Sequence, residues 1–244
     1  MKYTKSIGIG VLILLLGTRG TILSAVTENK VTINGSKGCW ELKVNGNPFF
    51  IKGAGCGEYL GKNNEDYLKL AREMGANCVR TWGIDQGTKE YLDKAAQYGL
   101  LVDAGIWMNV PDPERKITYT GRSDFVDEMR AEALDYVRRF KDHPAILMWN
   151  VGNEVLFFTG DENERIAFCR FLDNLIQEIK RIDPDHPVVY AAAAFMNLKY
   201  LEQYVPSLDI LGMNMYGSVR AAHSGWLALD TDRPYIDRCI DYVK

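Results

Sequence analysis

From residue 64 onward, short apolar runs alternate with longer segments in which apolar residues recur at a helical period. The apolar runs are too short for helices and are bounded by turn residues, which predicts buried strands. The predicted strands are Cys78–Trp82, Leu100–Ile106, Ile146–Trp149, Val188–Ala192 and, with its exit, Leu208–Tyr216. The predicted helices between them are Asn64–Glu73, Thr88–Tyr98, Asp124–Phe140, Asn163–Arg181 and Leu198–Tyr204.

This alternation predicts an α/β protein with parallel strands joined by right-handed crossovers. An eightfold β/α barrel and an open doubly wound sheet are both built in this way. We favour the barrel because polar and aromatic residues recur just after successive strands, where barrel enzymes place their catalytic groups. These residues are Arg80, Trp82, Trp107, Asn153, Glu154 and Tyr216.

The predicted barrel, over residues 53–244, is incomplete. Six strands are clear when the first strand, which follows the N-terminal hairpin, is counted with the five above. Arg220–Leu229 is a candidate sixth helix, and Arg233–Ile236 is a candidate start of a seventh strand. Six or seven strands do not close a (β/α)8 barrel. We therefore expect a chain that was cut short, or one whose reading frame changed near Asp230.

Residues 26–52 are predicted to form a short β-hairpin that leads into the barrel. Trp40–Val44 alternates apolar and polar residues, Asn45–Pro48 is a turn signal, and Phe49–Lys52 leaves the turn.

The glycines of Gly53–Gly57 do not have the spacing of a dinucleotide-binding loop, because Glu58 stands where a third glycine is required. We expect a glycine-rich loop at the upper rim of the barrel instead.

Residues 1–25 have the pattern of a secretory signal peptide. Lys2 and Lys5 precede an apolar run over Ile7–Leu16, and small residues end the segment. The run is shorter than the roughly 20 residues that a membrane-spanning helix needs. We expect a secreted or cell-envelope protein without a stable membrane span after cleavage, and an uncleaved anchor is the alternative.

Composition narrows the classes of function. The chain has 244 residues, 47% of them hydrophobic, and a net charge of −3 at pH 7. It can therefore bury the core of one large or two small domains, and it offers no basic face for nucleic acid. The five cysteines form no C-x-x-C pair, and Cys78 and Cys169 are expected to be buried free thiols.

The stretch with the most specific pattern is W-N-V-G-N-E at Trp149–Glu154, where an amide and a carboxylate follow a buried strand. It resembles the acid/base strand of retaining glycoside hydrolases of the large barrel clan, especially the catalytic barrel of family 2. The phrase N-G-N-P-F-F-I-K-G at Asn45–Gly53 resembles the segment that leads family 2 barrels into their first strand.

The resemblance implies that Glu154 is the general acid/base. Glycoside hydrolysis needs two carboxyl groups, one of them protonated, and partial desolvation beside a buried strand favours the protonated form. Asn153 is implied to contact the 2-hydroxyl of the sugar. The alternative for the pair is that it merely caps the next helix.

The same resemblance implies that Arg80, in V-R-T-W-G, hydrogen-bonds the nucleophile, and that Tyr216, in N-M-Y-G, contacts it. A surface ion pair and a rim-packing tyrosine are the respective alternatives. Trp82 and Trp107 are candidates for stacking on sugar faces, with core packing as the alternative.

The three histidines show no metal-ligand spacing, and we expect neither a metal nor a cofactor. His143 and His186 stand in His-Pro turns, where we expect them to be solvated. His223 follows the sixth strand and is a candidate for lining the site.

The resemblance also implies a glutamate nucleophile in a T-E-x-G phrase after the seventh strand. No glutamate occurs after Glu202, and Asp230, Asp232 and Asp237 lack the apolar approach and the glycine of that phrase.

We expect a retaining glycoside hydrolase that acts on β-linked oligo- or polysaccharides. Three alternatives remain open at this point. They are an inactive sugar-binding barrel, a cell-wall β-glucan transglycosylase, and a fragment too incomplete to fold well because strand edges are left unpaired.

Overall fold

The computed structural model of the protein describes residues 29–36, 39–193 and 197–214. The segments predicted as a signal peptide, a sixth helix and a seventh strand lie outside these ranges, as do Tyr216 and His223. No helix within the described ranges is long and apolar enough to cross a membrane.

A three-stranded antiparallel sheet precedes the barrel strands. Its strands, in spatial order, are β1 (Val31–Ser36), β2 (Cys39–Val44) and β3 (Asn47–Pro48). Asn45 and Gly46 form the turn between β2 and β3 with φ of 51° and 80°, the two left-handed residues that a tight hairpin turn requires. A turn does follow β2, but the predicted exit strand Phe49–Lys52 was wrong, because the strand after the turn consists of Asn47–Pro48 and residues 49–52 form no strand.

The second sheet contains six parallel strands within the part of the chain that the structure describes. They are β4 (Gly53–Gly55), β5 (Cys78–Arg80), β6 (Leu101–Ile106), β7 (Ile146–Asn153), β8 (Val188–Ala192) and β9 (Ile210–Met213). The helices are α1 (Tyr67–Glu73), α2 (Thr88–Gln97), α3 (Asp124–Phe140), α4 (Val155–Phe158), α5 (Glu162–Ile182) and α6 (Leu198–Tyr204).

The spatial order of the six strands is the same as their order along the chain. A doubly wound sheet reverses its strand order at a switch point, whereas a β/α barrel adds each strand next to the previous one. The order therefore confirms the prediction of a partial barrel and excludes the doubly wound alternative for these strands.

The prediction of a glycine-rich loop was wrong at its first three residues, because Gly53–Gly55 is the first strand of the barrel and pairs with β5. The neighbouring indole of Trp82 accounts for the glycine at position 55. A Cβ atom on Gly55 would lie 2.9 Å from its ring, so glycine allows the indole to pack against the strand.

The apolar strands are buried because helices cover one face of the sheet and the barrel interior covers the other. At the amino ends of the strands, a separate cluster of buried residues includes Val31 of β1. Its barrel members are Cys78, Leu147, Met148 and Val189. The antiparallel sheet therefore closes the amino end of the barrel and leaves the carboxyl end for a site.

A buried polar cluster joins β7 to the turn that precedes β8. The indole N–H of Trp149 donates to Asp183 Oδ2 at 2.7 Å, and Nδ1 of His186 lies 2.9 Å from the same oxygen. The side chain of His186 is 0% exposed, so the prediction that it is solvated was wrong. The carboxylate of Asp183, three residues earlier in the chain, compensates for the burial of the imidazole.

The pKa of Asp183 lies below the ordinary aspartate value. Burial alone would raise it, but hydrogen bonds and charge from His186, together with the Trp149 indole and the Asp185 amide, outweigh the burial. A depressed carboxyl pKa contributes stability that is present above the unfolded pKa of about 4 and is lost as pH falls through the folded value.

We expect Asp183→Asn to lower the free energy of unfolding by about 1–3 kcal/mol at pH 7, because it removes the charged acceptor of a buried donor. The difference from the wild type should shrink near pH 3. Urea denaturation at both pH values checks this. Asp135→Asn is the matched control, since its partner Arg139 is an exposed i,i+4 neighbour and the loss should stay below about 0.5 kcal/mol. Equal losses in the two variants would contradict the assignment.

Candidate active site

The carboxyl ends of three strands bring polar side chains together. Arg80 is the last residue of β5, Asn153 is the last residue of β7 and is followed by Glu154, and Asn214 follows β9. Parallel strands direct their carboxyl ends to the same edge of a sheet, so residues far apart in the chain meet there.

Glu154 has an unusual backbone conformation for a residue with a side chain, with φ 58° and ψ 17°. This left-handed geometry costs roughly 1–2 kcal/mol in a non-glycine residue. It is maintained by the backbone, because the Glu154 N–H donates to the Ala191 carbonyl at 2.8 Å. Strained residues of this kind cluster at functional sites.

The carboxylate of Glu154 does not cap the helix that follows it. Glu154 occupies the N-cap position of α4, yet its side chain accepts no capping hydrogen bond. Instead its Oε1 accepts a hydrogen bond from Asn214 Nδ2 at 2.6 Å, and the residue is only 9% exposed. The alternative in which this glutamate is only a helix cap does not fit the geometry.

A single amide oxygen connects the three strand ends. Asn153 Oδ1 accepts from Arg80 Nη2 at 2.9 Å and from Asn214 Nδ2 at 3.0 Å. Arg80 Nη1 also donates to Asn214 Oδ1 at 3.3 Å. These bonds fix the orientation of the Asn153 amide, and its Nδ2 makes no hydrogen bond to a described residue. Among the residues that the structure describes, nothing competes with a ligand for that donor.

Below this edge, a largely buried carboxylate contacts Arg80. Asp103 Oδ2, on β6, lies 3.7 Å from Arg80 Nε and accepts from Asn150 Nδ2 at 2.9 Å. Burial raises the pKa of Asp103 to about 6, although the Asn150 hydrogen bond and the Arg80 charge both lower it. Arg80 is thus part of an interior network and not of a surface ion pair.

The structure places the two candidate tryptophans at the rim and not in the core. Trp82 is 39% exposed, and the guanidinium carbon of Arg80 lies 5.5 Å from the centroid of its ring. Trp107, which follows β6, is 48% exposed. Neither ring belongs to the hydrogen-bonded group around Asn153, so stacking on a sugar stays a prediction for both.

The loop between β6 and α3 is tied to the first turn of α5. Glu164 Oε2 accepts from the Tyr119 amide at 2.8 Å, and Oε1 accepts from Thr120 Oγ1 at 2.6 Å and from Thr118 Oγ1. Burial would raise the pKa of Glu164, but these bonds outweigh it and the pKa is lowered. The attachment fixes the loop at the same edge of the barrel as Glu154.

Three residues of the site were missed from the sequence: Asp103, Asn150 and Asn214. Asp103 is a charged residue within an apolar run, and Asn214 begins the N-M-Y-G phrase, so each had a visible signal. Asn150 lies inside the W-N-V-G-N-E stretch. Over the described ranges, no group of three or more His, Cys, Asp or Glu side chains is arranged to hold a metal ion.

The structure is a partial β/α barrel in which a glutamate with a strained backbone follows a buried strand and accepts a hydrogen bond from an asparagine side chain. This combination is typical of the barrels of glycoside hydrolases. The family model described as "Glycosyl hydrolases family 2, TIM barrel domain" matches residues 41–229. The chain belongs to this family.

Curated relatives are identical to this chain at about one quarter of the aligned positions. The chain is 25% identical over 185 residues to beta-glucuronidase of Rattus norvegicus, a match that covers 71% of this chain and 26% of the relative. It is 25% identical over 187 residues to beta-glucuronidase of Homo sapiens, with 72% and 26% covered. The matched part is therefore about a quarter of the length of these relatives.

Solved structures show the same fold. A beta-D-glucuronidase from Dictyoglomus thermophilum superposes with a TM-score of 0.60 at 23% identity, over 88% of this chain and 38% of that one. A family 2 beta-galacturonidase from Eisenbergiella tayi, bound to galacturonate, gives a TM-score of 0.56 at 20% identity, over 78% and 32%.

Gly152, two residues before Glu154, has φ 86°, and a Cβ atom there would lie 3.3 Å from Tyr190 Cε2. We expect Gly152→Ala to lower the free energy of unfolding by about 2–3 kcal/mol, through left-handed strain plus overpacking. Gly75→Ala is the matched control, because φ there is 90° but nothing lies within 4 Å. It should lose only about 1–2 kcal/mol. Urea denaturation compares the two, and equal losses would refute a role for the Tyr190 contact.

Proposed function

We propose that this chain is the barrel of a retaining glycoside hydrolase acting on β-linked substrates, with Glu154 as the general acid/base. The observation that carries the proposal is the carboxylate of Glu154. It stands at the carboxyl edge of the barrel in a strained backbone conformation, bound by Asn214 and not used as a helix cap.

In the proposed mechanism, Glu154 protonates the leaving glycosidic oxygen while a second carboxylate attacks the anomeric carbon. Glu154 then removes a proton from the water that releases the sugar from the covalent intermediate. Nδ2 of Asn153 donates to the sugar's 2-hydroxyl, an interaction that strengthens in the transition state. The proposed role of Arg80 is to hold Asn153 in that orientation and to stabilise the anionic nucleophile. No cofactor takes part.

We propose β-linked uronic acid glycosides as the substrate class. The support is that the relatives and the solved structures are named beta-glucuronidases and a beta-galacturonidase. Trp82 and Trp107, exposed at the rim, are proposed to line the entrance for the rest of the substrate.

Leaving-group dependence tests the role of Glu154. We expect Glu154→Gln to reduce hydrolysis of phenyl β-D-glucuronide by about 10²- to 10⁴-fold, because its leaving oxygen needs a proton from the enzyme. Cleavage of 2,4-dinitrophenyl β-D-glucuronide to the covalent intermediate should be much less affected, since that leaving group departs without protonation. Burst kinetics at pH 7 separate the two steps.

Glu178→Gln is the control for the loss of a carboxylate, because Glu178 pairs with Arg130 of α3 at 2.9 Å and takes no part in the site. Its hydrolysis should match the wild type. If the wild-type chain binds the glucuronides without cleaving them, the hydrolase proposal is wrong and the binding barrel is supported. Elongated products would indicate a transglycosylase.

We also propose that the protein is exported through residues 1–25. Expression of the whole chain in a bacterial host should give a product in the periplasm or medium whose N-terminus lies near residue 26, which N-terminal sequencing detects. Leu14→Lys, which interrupts the apolar run, should abolish export. A membrane-bound product with an intact N-terminus would support the anchor instead, and a cytosolic one would exclude both.

A further inference from the structure

We propose that Asp103 is a positioning residue, which holds the Arg80 guanidinium from below so that Arg80 presents its two outer nitrogens to the amides beside Glu154. The effect of Asp103 on sugar binding rests on the proposed function. Its effect on Arg80 does not.

The guanidinium of Arg80 has contacts on two sides, with the site amides above it and with Asp103 below it. Nη1 and Nη2 donate upward to Asn214 and Asn153 at the site. Nε faces Asp103 Oδ2, 3.7 Å away, because the two residues are register partners in the pairing of β5 with β6. Asn150 holds the carboxylate from β7 with a hydrogen bond of 2.9 Å. Asp103 therefore links the strands on both sides of it.

Three atoms of this cluster are buried without a hydrogen-bond partner among the described residues: Arg80 Nε, Asp103 Oδ1 and Asn150 Oδ1. Buried polar groups are nearly always hydrogen-bonded, and each exception needs an explanation. Here a donor and two acceptors remain unused around one ion pair. The Arg80 Nε lies 3.7 Å from Asp103 Oδ2, which is longer than a hydrogen bond. Asp103 therefore attracts the guanidinium through its charge and not through a hydrogen bond.

The stability of the fold does not by itself explain a carboxylate at position 103. A buried ion pair is often no more stabilising than apolar residues of similar volume. Burial also raises the pKa of Asp103 to about 6, so its ionised form is disfavoured by the fold. A residue that costs stability but locates a site arginine is expected to be present for function.

The titratable groups that face Asp103 are few within the described ranges. From β5 these are Arg80 and the thiol of Cys78, whose pKa burial raises to about 12, while β7 contributes the neutral Asn150. Cys78 therefore stays protonated at ordinary pH. Asp103 is thus the member of this cluster that loses its charge as pH falls through about 6, and the attraction on Arg80 is lost with it.

The first measurement follows the Arg80 Nε–H signal by ¹H–¹⁵N NMR between about pH 4.5 and 8, with the signal assigned by its absence in Arg80→Lys. In the wild type we expect a titration with a midpoint near pH 6. In Asp103→Asn the signal should not titrate and should stay at the low-pH wild-type position. Asp183→Asn, which removes a buried carboxylate at the other end of the barrel, should titrate like the wild type.

The second measurement is calorimetric binding of phenyl β-D-thioglucuronide, which is not hydrolysed. We expect wild-type affinity to fall about tenfold below the midpoint, and Asp103→Asn to bind about tenfold more weakly than the wild type at pH 7.5 with no acid-side dependence. Asp103→Glu should recover part of the affinity. If the wild type does not bind the thioglycoside, the proposed function fails, and the Arg80 signal still decides the positioning role.

Melting temperatures separate a positioning role from a structural one. At pH 7.5 Asp103→Asn should lose less thermal stability than Asp183→Asn, because the ionised Asp103 is disfavoured by the fold while Asp183 is stabilised by it. A flat Arg80 signal in the wild type would overturn the proposal. So would an Asp103→Asn variant with an unchanged Arg80 signal and a melting temperature at least as low as that of Asp183→Asn.

Discussion

The candidate site depends on one amide oxygen, Asn153 Oδ1, which accepts hydrogen bonds from the ends of two other strands. Its donors, Arg80 and Asn214, lie 73 and 61 residues away in the chain. The parallel register brings them together, because each strand delivers its last residue to the same edge. The position of Glu154 follows from this arrangement, since Asn214 also donates to its carboxylate. The geometry of the site is therefore fixed by the register of the parallel sheet.

Two buried carboxylates, one towards each end of the barrel, have pKa values shifted in opposite directions. At the amino side, Asp183 is surrounded by donors that hold its pKa low, so its charge stabilises the fold. Nearer the carboxyl edge, Asp103 has too few donors to offset its burial, and its pKa is raised. The left-handed backbone of Glu154 also lies at the carboxyl edge. The amino end closes the core. The carboxyl end contains energetically unfavourable features, a buried carboxylate and a strained backbone, of the kind found at ligand sites.

The periodicity of the chain predicted much of the fold. The helices Asp124–Phe140 and Leu198–Tyr204 and the strand Val188–Ala192 have the predicted bounds. The pattern failed where local composition and tertiary packing disagree. Gly53 and Gly55 suggested a loop but lie in a strand that pairs with β5, and the Trp82 indole occupies the space that a side chain at Gly55 would fill. A histidine beside proline suggested exposure, yet His186 is buried on Asp183.

The sequence by itself determined which residues stand at the strand ends, because apolar runs and turn residues are local signals. Arg80, Asn153 and Glu154 were located in this way, and the W-N-V-G-N-E stretch indicated the family. Only the tertiary structure decided which partners these residues have. Asn214 contacts Arg80 across 134 residues, and Asn150 contacts Asp103 across 47. No local pattern encodes such contacts, since they arise when a parallel sheet brings distant strand ends into register.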